Sequence, residues 1–182
     1  MSQTTTTNIV LAGVGGQGIL LASEIIARAA MAAGHDVKTN EVHGMAQRGG
    51  SVLAQIRYGP KVHSPLIPVG SSQTVIPLTV SSGTALYPAG AEARIRRTFP
   101  RLIYLDAVAL AGALGNVRAS NAVVLGALST GLDLPAAAWQ EAIRGSVKEK
   151  FLEVNRQAFA AGAAQARSAA AGPSTSQPQL AE

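Results

Sequence analysis

A chain of 182 residues, 47% hydrophobic and 14% charged, is long enough to bury one ordinary core and too apolar for a disordered polymer. It contains no cysteine, which excludes disulfides, thiolate-held iron–sulfur clusters and a cysteine nucleophile within the chain. The formal charge of +5 could suit nucleic acid, but the basic residues are scattered apart from Arg94, Arg96, Arg97 and Arg101, with only Phe99 among them as a stacking ring. Neither nucleic acid nor membrane is therefore expected as a partner.

In chain order, residues 1–7 are polar and lack the basic-then-apolar layout of a signal peptide. They are expected to form a flexible N-terminus on a soluble, cytoplasmic protein, since no apolar run approaches the about 20 residues of a membrane span. Residues 8–12 (Asn-Ile-Val-Leu-Ala) read as a buried strand running into a turn over 13–18. Residues 19–33 are apolar at nearly every position without Pro or Gly, which predicts a helix stopped by Gly34. The alternation over 37–42 predicts a second strand, completing a Rossmann-like β–α–β start.

A glycine-bearing loop over 43–50 leads to a third alternating strand at 51–58, closed by Gly59-Pro60. The pattern is poor from 61 to 88, where residues 74–80 hold a strand interrupted by Pro77 and hence an edge or irregular one. Residues 89–99 suggest a short basic helix, and 102–106 a buried strand ending in Asp106. Helices are expected over 107–114, with Gly115 as the stop, over 119–128, over 135–144 with Pro at the start, and over 147–164. The remainder, 166–182, is expected to be a disordered tail. The fold class is α/β: three layers, one domain over 8–165, and a mostly parallel sheet.

Two stretches carry chemistry. Gly13-Val14-Gly15-Gly16-Gln17-Gly18 satisfies G-x-G-x-x-G between a strand and a helix. Such glycines allow a tight turn and let a phosphate reach backbone N–H groups at the positive end of the helix. Glu41, at the end of the second strand, is the candidate acid for a ribose. The pattern has two readings, a phosphate site and mere close packing of strand on helix. A Lys-Ser/Thr pair is missing, which argues against nucleotide hydrolysis.

The second stretch, Val42-His43-Gly44-Met45-Ala46-Gln47-Arg48-Gly49-Gly50-Ser51, places polar side chains on a loop near the carboxyl end of a strand, where open α/β sheets bind ligands. Arg48 could reach a phosphate or carboxylate with its planar fork. The competing reading is a solvated loop. The three histidines, His35, His43 and His63, show no metal-ligand spacing, so no metal is expected on this chain.

Together the two stretches resemble the gamma-type domain of the 2-oxoacid:ferredoxin oxidoreductases, in particular the beta subunit of indolepyruvate oxidoreductases. The resemblance extends to Ser64-Pro65-Leu66-Ile67-Pro68, Leu105-Asp106-Ala107, Gly115-Asn116, residues 121–128 and Lys150-Phe151-Leu152-Glu153-Val154-Asn155. It departs from the family between Pro68 and Thr74, where about one strand and one helix are missing around 69–75.

The resemblance implies the pyruvate-ferredoxin oxidoreductase gamma-domain fold and an accessory subunit beside a large alpha subunit. That partner would carry thiamine diphosphate, magnesium and 4Fe–4S clusters, decarboxylate indolepyruvate or a related arylpyruvate, and pass electrons to ferredoxin or another acceptor. The acyl group would pass to coenzyme A. By position, Gly13, Gly15, Gly16, Gln17 and Gly18 become candidates for the coenzyme A phosphates. His43, Met45, Gln47, Arg48, Gly49 and Gly50 become candidates for an active-site loop or partner contact, and no catalytic residue is assigned. Two rival classes stand beside this one: an NAD(P)-binding Rossmann dehydrogenase, and a purely structural assembly module.

Overall fold

The computed structural model describes residues 6–44, 50–72, 74–77, 103 and 105–171, together with positions 90, 94 and 97. Strand β1 (Thr7–Val14) carries Ile9 and Leu11 on one face, and helix α1 (Ile19–Ala32) packs its buried Ile19, Ala22, Ile25, Ile26 and Ala29 against them. Alanine at so many contact positions lets helix and sheet approach closely. The helix ends as its sequence dictates: Gly34 has φ +84°, its N–H donates to the Met31 carbonyl, and the His35 N–H reaches back to the Ala30 carbonyl. This six-to-one closure needs a left-handed residue, which glycine adopts without a Cβ penalty.

Strand β2 (Asp36–His43) then runs to β3 (Ser51–Gly59) through a short loop, and both pair antiparallel, Thr39 opposite Ile56 and Val42 opposite Leu53. β3 also pairs antiparallel with β1, Ile9 opposite Ile56, while β4 (Thr74–Pro77) joins β1 in parallel. The order is β2-β3-β1-β4. The α/β class and the β–α–β start stand, but among the described residues the sheet is mixed rather than mostly parallel. The reason lies in chain length. A parallel step from β2 to β3 needs a crossover of about a dozen residues or more, whereas only residues 44–50 separate them. β3 therefore folds back and inserts between β1 and β2.

The alternating burial of β3 divides the sheet into two faces. Val52, Ala54, Ile56 and Tyr58 point into the helical side. The Gln55 and Arg57 side chains face the other way, where an irregular segment over 60–72, rather than helices, supplies the third layer among the described residues. Gln55 Oε1 accepts from Ile67 N–H at 3.0 Å, and Arg57 donates to the carbonyls of Ser64 and Leu66 at 2.9 and 3.1 Å. Asp36 fastens the start of this segment, accepting from Val62 N–H at 2.9 Å and from Lys38 Nζ at 2.8 Å. Those two donors hold its carboxyl below the ordinary range, the lysine acting most strongly.

Four further helices complete the described fold: α2 (Ala107–Ala113), α3 (Ser120–Ser129), α4 (Ala136–Ser146) and α5 (Leu152–Ala171). The expected strand at 102–106 lies partly outside the described residues. Ile103, Leu105 and Asp106 are not in a strand. Asp106 instead caps α2, its carboxylate accepting from Ala109 N–H at 2.8 Å, the role that Asp takes readily before a helix.

Two other boundaries move. Thr7 already belongs to β1, and α5 continues past residue 165 to Ala171 with Ala166 buried, so the first part of the expected tail is helix. The expected basic helix at 89–99 lies mostly outside the described residues, with Arg94 and Arg97 helical.

α4 packs on α1, and its Trp139 sits fully buried against Phe159 of α5, ring centroids 5.6 Å apart. α3 and α5 cross at two glycines: a Cβ on Gly126 would land on the Phe159 carbonyl, and one on Gly162 on the Val123 carbonyl. No helix among the described residues is long and apolar enough to cross a membrane.

Candidate ligand site at the glycine turn

Gly13 and Val14 remain in β1, opposite Val52 and Ser51, so the turn proper is narrower than residues 13–18 and begins after Val14. Gln17 N–H donates to the Val14 carbonyl at 3.2 Å, and the Gln17 side chain folds back so that its Oε1 accepts from Val14 N–H at 3.0 Å. Gly16, third in this turn, has φ +95°, which a residue with a Cβ rarely adopts. Gly15 N–H donates to the Gly50 carbonyl at 2.7 Å, tying the turn to the residue just before β3.

Gly18 then starts α1 with a left-handed backbone, no side-chain cap and no acidic residue in the first turn. The N–H groups of Gly16, Gly18 and the first turn of α1 find no acceptor among the described residues. Orphan donors at the positive end of a helix form a ready seat for an anion.

The tertiary structure adds one residue that sequence reasoning missed. Asn121, in the first turn of α3, donates from Nδ2 to the Gln17 carbonyl at 2.7 Å. Its amide lies so close over Gly18 that a Cβ there would collide with it. Gly18 is thus required twice, by its positive φ and by this contact. The sole signal in the sequence was Asn121's place in the stretch resembling the family, with nothing to connect it to a turn 104 residues earlier.

The two sequence motifs meet at one end of the sheet. Gly50 touches the glycine turn directly, and the backbone of His43 pairs with Val52 at the close of β2. Both ends of the 43–50 loop therefore lie at the edge of the sheet where β1 ends, the Gly50 end beside the turn and the His43 end two strands away across β3. Met45, Gln47, Arg48 and Gly49 lie outside the described residues.

Glu41 does not join the site. It stands in β2, with Ala54 of β3 between it and Leu11 of β1, so two strand spacings of about 4.8 Å each separate it from β1. It lines an open hollow of about 650 Å³ between α1 and β2 with Leu20, Glu24, Arg28 and Thr39. Two carboxylates make that hollow a poor place for a phosphate. Among the described residues no three His, Cys, Asp or Glu side chains gather to hold a metal ion.

Among the described residues the chain is a mixed four-stranded sheet with one helical face and an uncapped glycine turn, an α/β subunit domain. The family model described as pyruvate ferredoxin/flavodoxin oxidoreductase matches residues 8–165, and the chain belongs to that family. It is 40% identical to the indolepyruvate oxidoreductase subunit IorB of Archaeoglobus fulgidus, over 87% of this chain and 94% of the relative. It is 36% identical to the subunit of the same name from Pyrococcus horikoshii, over 85% and 93%. It is accordingly an oxidoreductase subunit of the 2-oxoacid:ferredoxin class.

The Archaeoglobus alignment extends over 191 positions, more than the 182 residues of this entire chain, so the relative carries residues that have no counterpart here. The ketoisovalerate oxidoreductase subunit VorA of Methanothermobacter thermautotrophicus is 30% identical over 87% of this chain but only 36% of its own length.

Among solved structures, the gamma subunit of a keto/oxoacid ferredoxin oxidoreductase from Geobacter sulfurreducens superposes with a TM-score of 0.66 at 22% identity, covering 89% of this chain and 99% of that one. The 2-oxoglutarate:ferredoxin oxidoreductase of Magnetococcus marinus, solved with 2-oxoglutarate, coenzyme A and succinyl-CoA bound, gives 0.68 at 20% identity, over 97% of this chain and 33% of that one. These two likenesses establish the fold.

Proposed function

We propose that this chain is the accessory subunit of an enzyme that oxidatively decarboxylates indolepyruvate or a related arylpyruvate to its acyl-CoA, and that its glycine turn holds phosphate groups of coenzyme A. The observation that carries the reading is the turn itself: Gly16, Gly18 and the first turn of α1 present donors without acceptors among the described residues, and no acidic side chain stands in that first turn. The relatives named as indolepyruvate oxidoreductase subunits favour the arylpyruvate, and the coenzyme A in the Magnetococcus structure favours the thioester product.

The donor set of this chain does not fit a thiolate-held iron–sulfur cluster. Without cysteine it cannot ligate an iron–sulfur cluster by thiolate. A larger alpha subunit is therefore assigned the thiamine diphosphate, magnesium and 4Fe–4S clusters, which supply decarboxylation and one-electron transfer to ferredoxin or another acceptor. This chain's own contribution is binding. Its backbone N–H groups orient an anionic carrier, with Gly50 tied to the same turn through the Gly15 N–H.

An NAD(P) dehydrogenase is disfavoured because Glu41, the candidate ribose acid, stands a strand too far from the turn. Purification of the tagged chain from its native cells tests the proposal. A stoichiometric large subunit bearing thiamine diphosphate and iron–sulfur clusters, with indolepyruvate oxidation dependent on coenzyme A, is the expected result. A chain that purifies without such a partner, or a complex indifferent to coenzyme A, overturns it.

A further inference from the structure

The contact between Asn121 and the glycine turn is more than packing filler. The turn can offer donors outward only while its own carbonyls are held elsewhere; the Gly18 carbonyl already accepts from Ala22 N–H within α1, and the Gln17 carbonyl is the one just before it. Asn121 Nδ2 holds that carbonyl at 2.7 Å. The amide also covers Gly18 on the side where a Cβ would stand, so the left-handed start of α1 is braced from α3. Three further bonds, Val14 N–H to Gln17 Oε1, Gln17 N–H to the Val14 carbonyl and Gly15 N–H to the Gly50 carbonyl, brace the turn from the β1 side. Among the described residues, Gly16 and Gly18 are left with unaccepted N–H groups between these braces.

We propose that Asn121 is a positioning residue for anion binding: by holding the Gln17 carbonyl it keeps the Gly16–Gly18 donors directed at the phosphates of coenzyme A. The proposal rests on the glycine turn being the phosphate seat. It makes α3, remote in sequence, part of the binding apparatus. It also gives the site a selectivity that packing alone would not produce, because only the phosphorylated part of the carrier senses Asn121. Pantetheine has the same reactive thiol without phosphate, so it should be indifferent to the residue.

The test uses the complex purified with its large subunit, with KM and kcat measured for coenzyme A and for pantetheine as acyl acceptors. Gly16→Ala probes the seat itself. Asn121→Ala probes the brace, and Asn121→Asp keeps the side-chain size while replacing the donor with a carboxylate. Gly16→Ala and Asn121→Ala should each raise the KM for coenzyme A about tenfold, the scale of one lost hydrogen bond to a charged group. Their kcat, and the KM for pantetheine, should stay within about twofold. Asn121→Asp should raise the coenzyme A KM further by repelling the phosphates.

If Gly16→Ala raises that KM and both Asn121 variants leave it unchanged, the phosphate seat stands and the role of Asn121 is wrong. If Gly16→Ala has no effect, the seat and the brace both fall. If the Asn121 variants weaken both acceptors equally, or lower only the melting temperature, the residue is merely structural and the proposal is overturned. Should Asn121→Ala fail to assemble, Asn121→Asp alone decides by the same selectivity.

Discussion

Arg57 Nε donates to Asn8 Oδ1 at 2.8 Å, joining β3 to β1 across the sheet face that turns away from the helices. The same guanidinium holds the carbonyls of Ser64 and Leu66, while Asn8 Nδ2 holds that of Ser71. Two side chains on neighbouring strands thus pin both ends of the segment carrying Ser64-Pro65-Leu66-Ile67-Pro68. Among the described residues no carboxylate hydrogen-bonds Arg57. Its fork is matched to carbonyls rather than to an ion pair, a geometry that lysine cannot reproduce.

Arg57→Ala should therefore cost about 2 kcal/mol, since it leaves two carbonyls and Asn8 without their donor. Arg57→Lys should recover less than half of that. Urea unfolding checks both variants: the midpoint should fall while the slope stays constant, because the buried surface is nearly unchanged.

The α3–α5 crossing makes a sharper prediction. Gly126→Ala and Gly162→Ala each drive a methyl into a backbone carbonyl of the facing helix, which cannot rotate aside as a flexible side chain would. Each should cost more than about 2 kcal/mol. Gly131→Ala is the control, since its Cβ would meet the Leu128 carbonyl at an ordinary 3.7 Å, and it should stay within about 0.5 kcal/mol. Melting temperatures of the three variants read the contrast.

Trp139 is fully buried, yet its Nε1 has no hydrogen-bond partner. Trp139→Phe removes both indole bulk and an unsatisfied donor, two opposing effects of about 1–3 kcal/mol each. Its net cost should be small, below about 1.5 kcal/mol, whereas Trp139→Ala should lose about 3–5 kcal/mol. A Phe variant as unstable as the Ala variant would show that the indole nitrogen matters little.

Stability should decline at both ends of the pH range for separate reasons. The Asp36 carboxyl is held below its ordinary value of 3.8 by Lys38 and then by Val62 N–H. Its contribution is complete above 3.8 and disappears as pH falls through the lowered folded value. Tyr58 is raised above 10.0, chiefly by burial, with Asp133 adding to the rise and a hydrogen bond from Thr7 opposing it. Its contribution is complete below 10.0 and disappears as pH rises through the raised folded value. Asp36→Asn should flatten the acid side of the stability profile alone, and Tyr58→Phe the alkaline side alone, as followed by denaturant midpoints from acid to alkaline pH.

Local sequence by itself determined the elements whose cause is local. The apolar run of β1, the Gly34 stop of α1 and the alternation of β3 each depend on a few neighbouring residues, and each element forms where the pattern placed it, with β1 extending beyond both expected ends. The glycine turn was recognisable for the same reason, because a positive φ at Gly16 is a property of the turn itself.

Tertiary structure alone decided what depends on contacts between distant residues. The insertion of β3 between β1 and β2 moved Glu41 away from the turn, and no periodicity within β2 carries that information. Asp106 looked like the end of a strand until the start of α2 supplied a backbone N–H for it to cap. Asn121 acquired its role only when α3 was laid across the start of α1, bringing its amide to a carbonyl that is remote in sequence and adjacent in space.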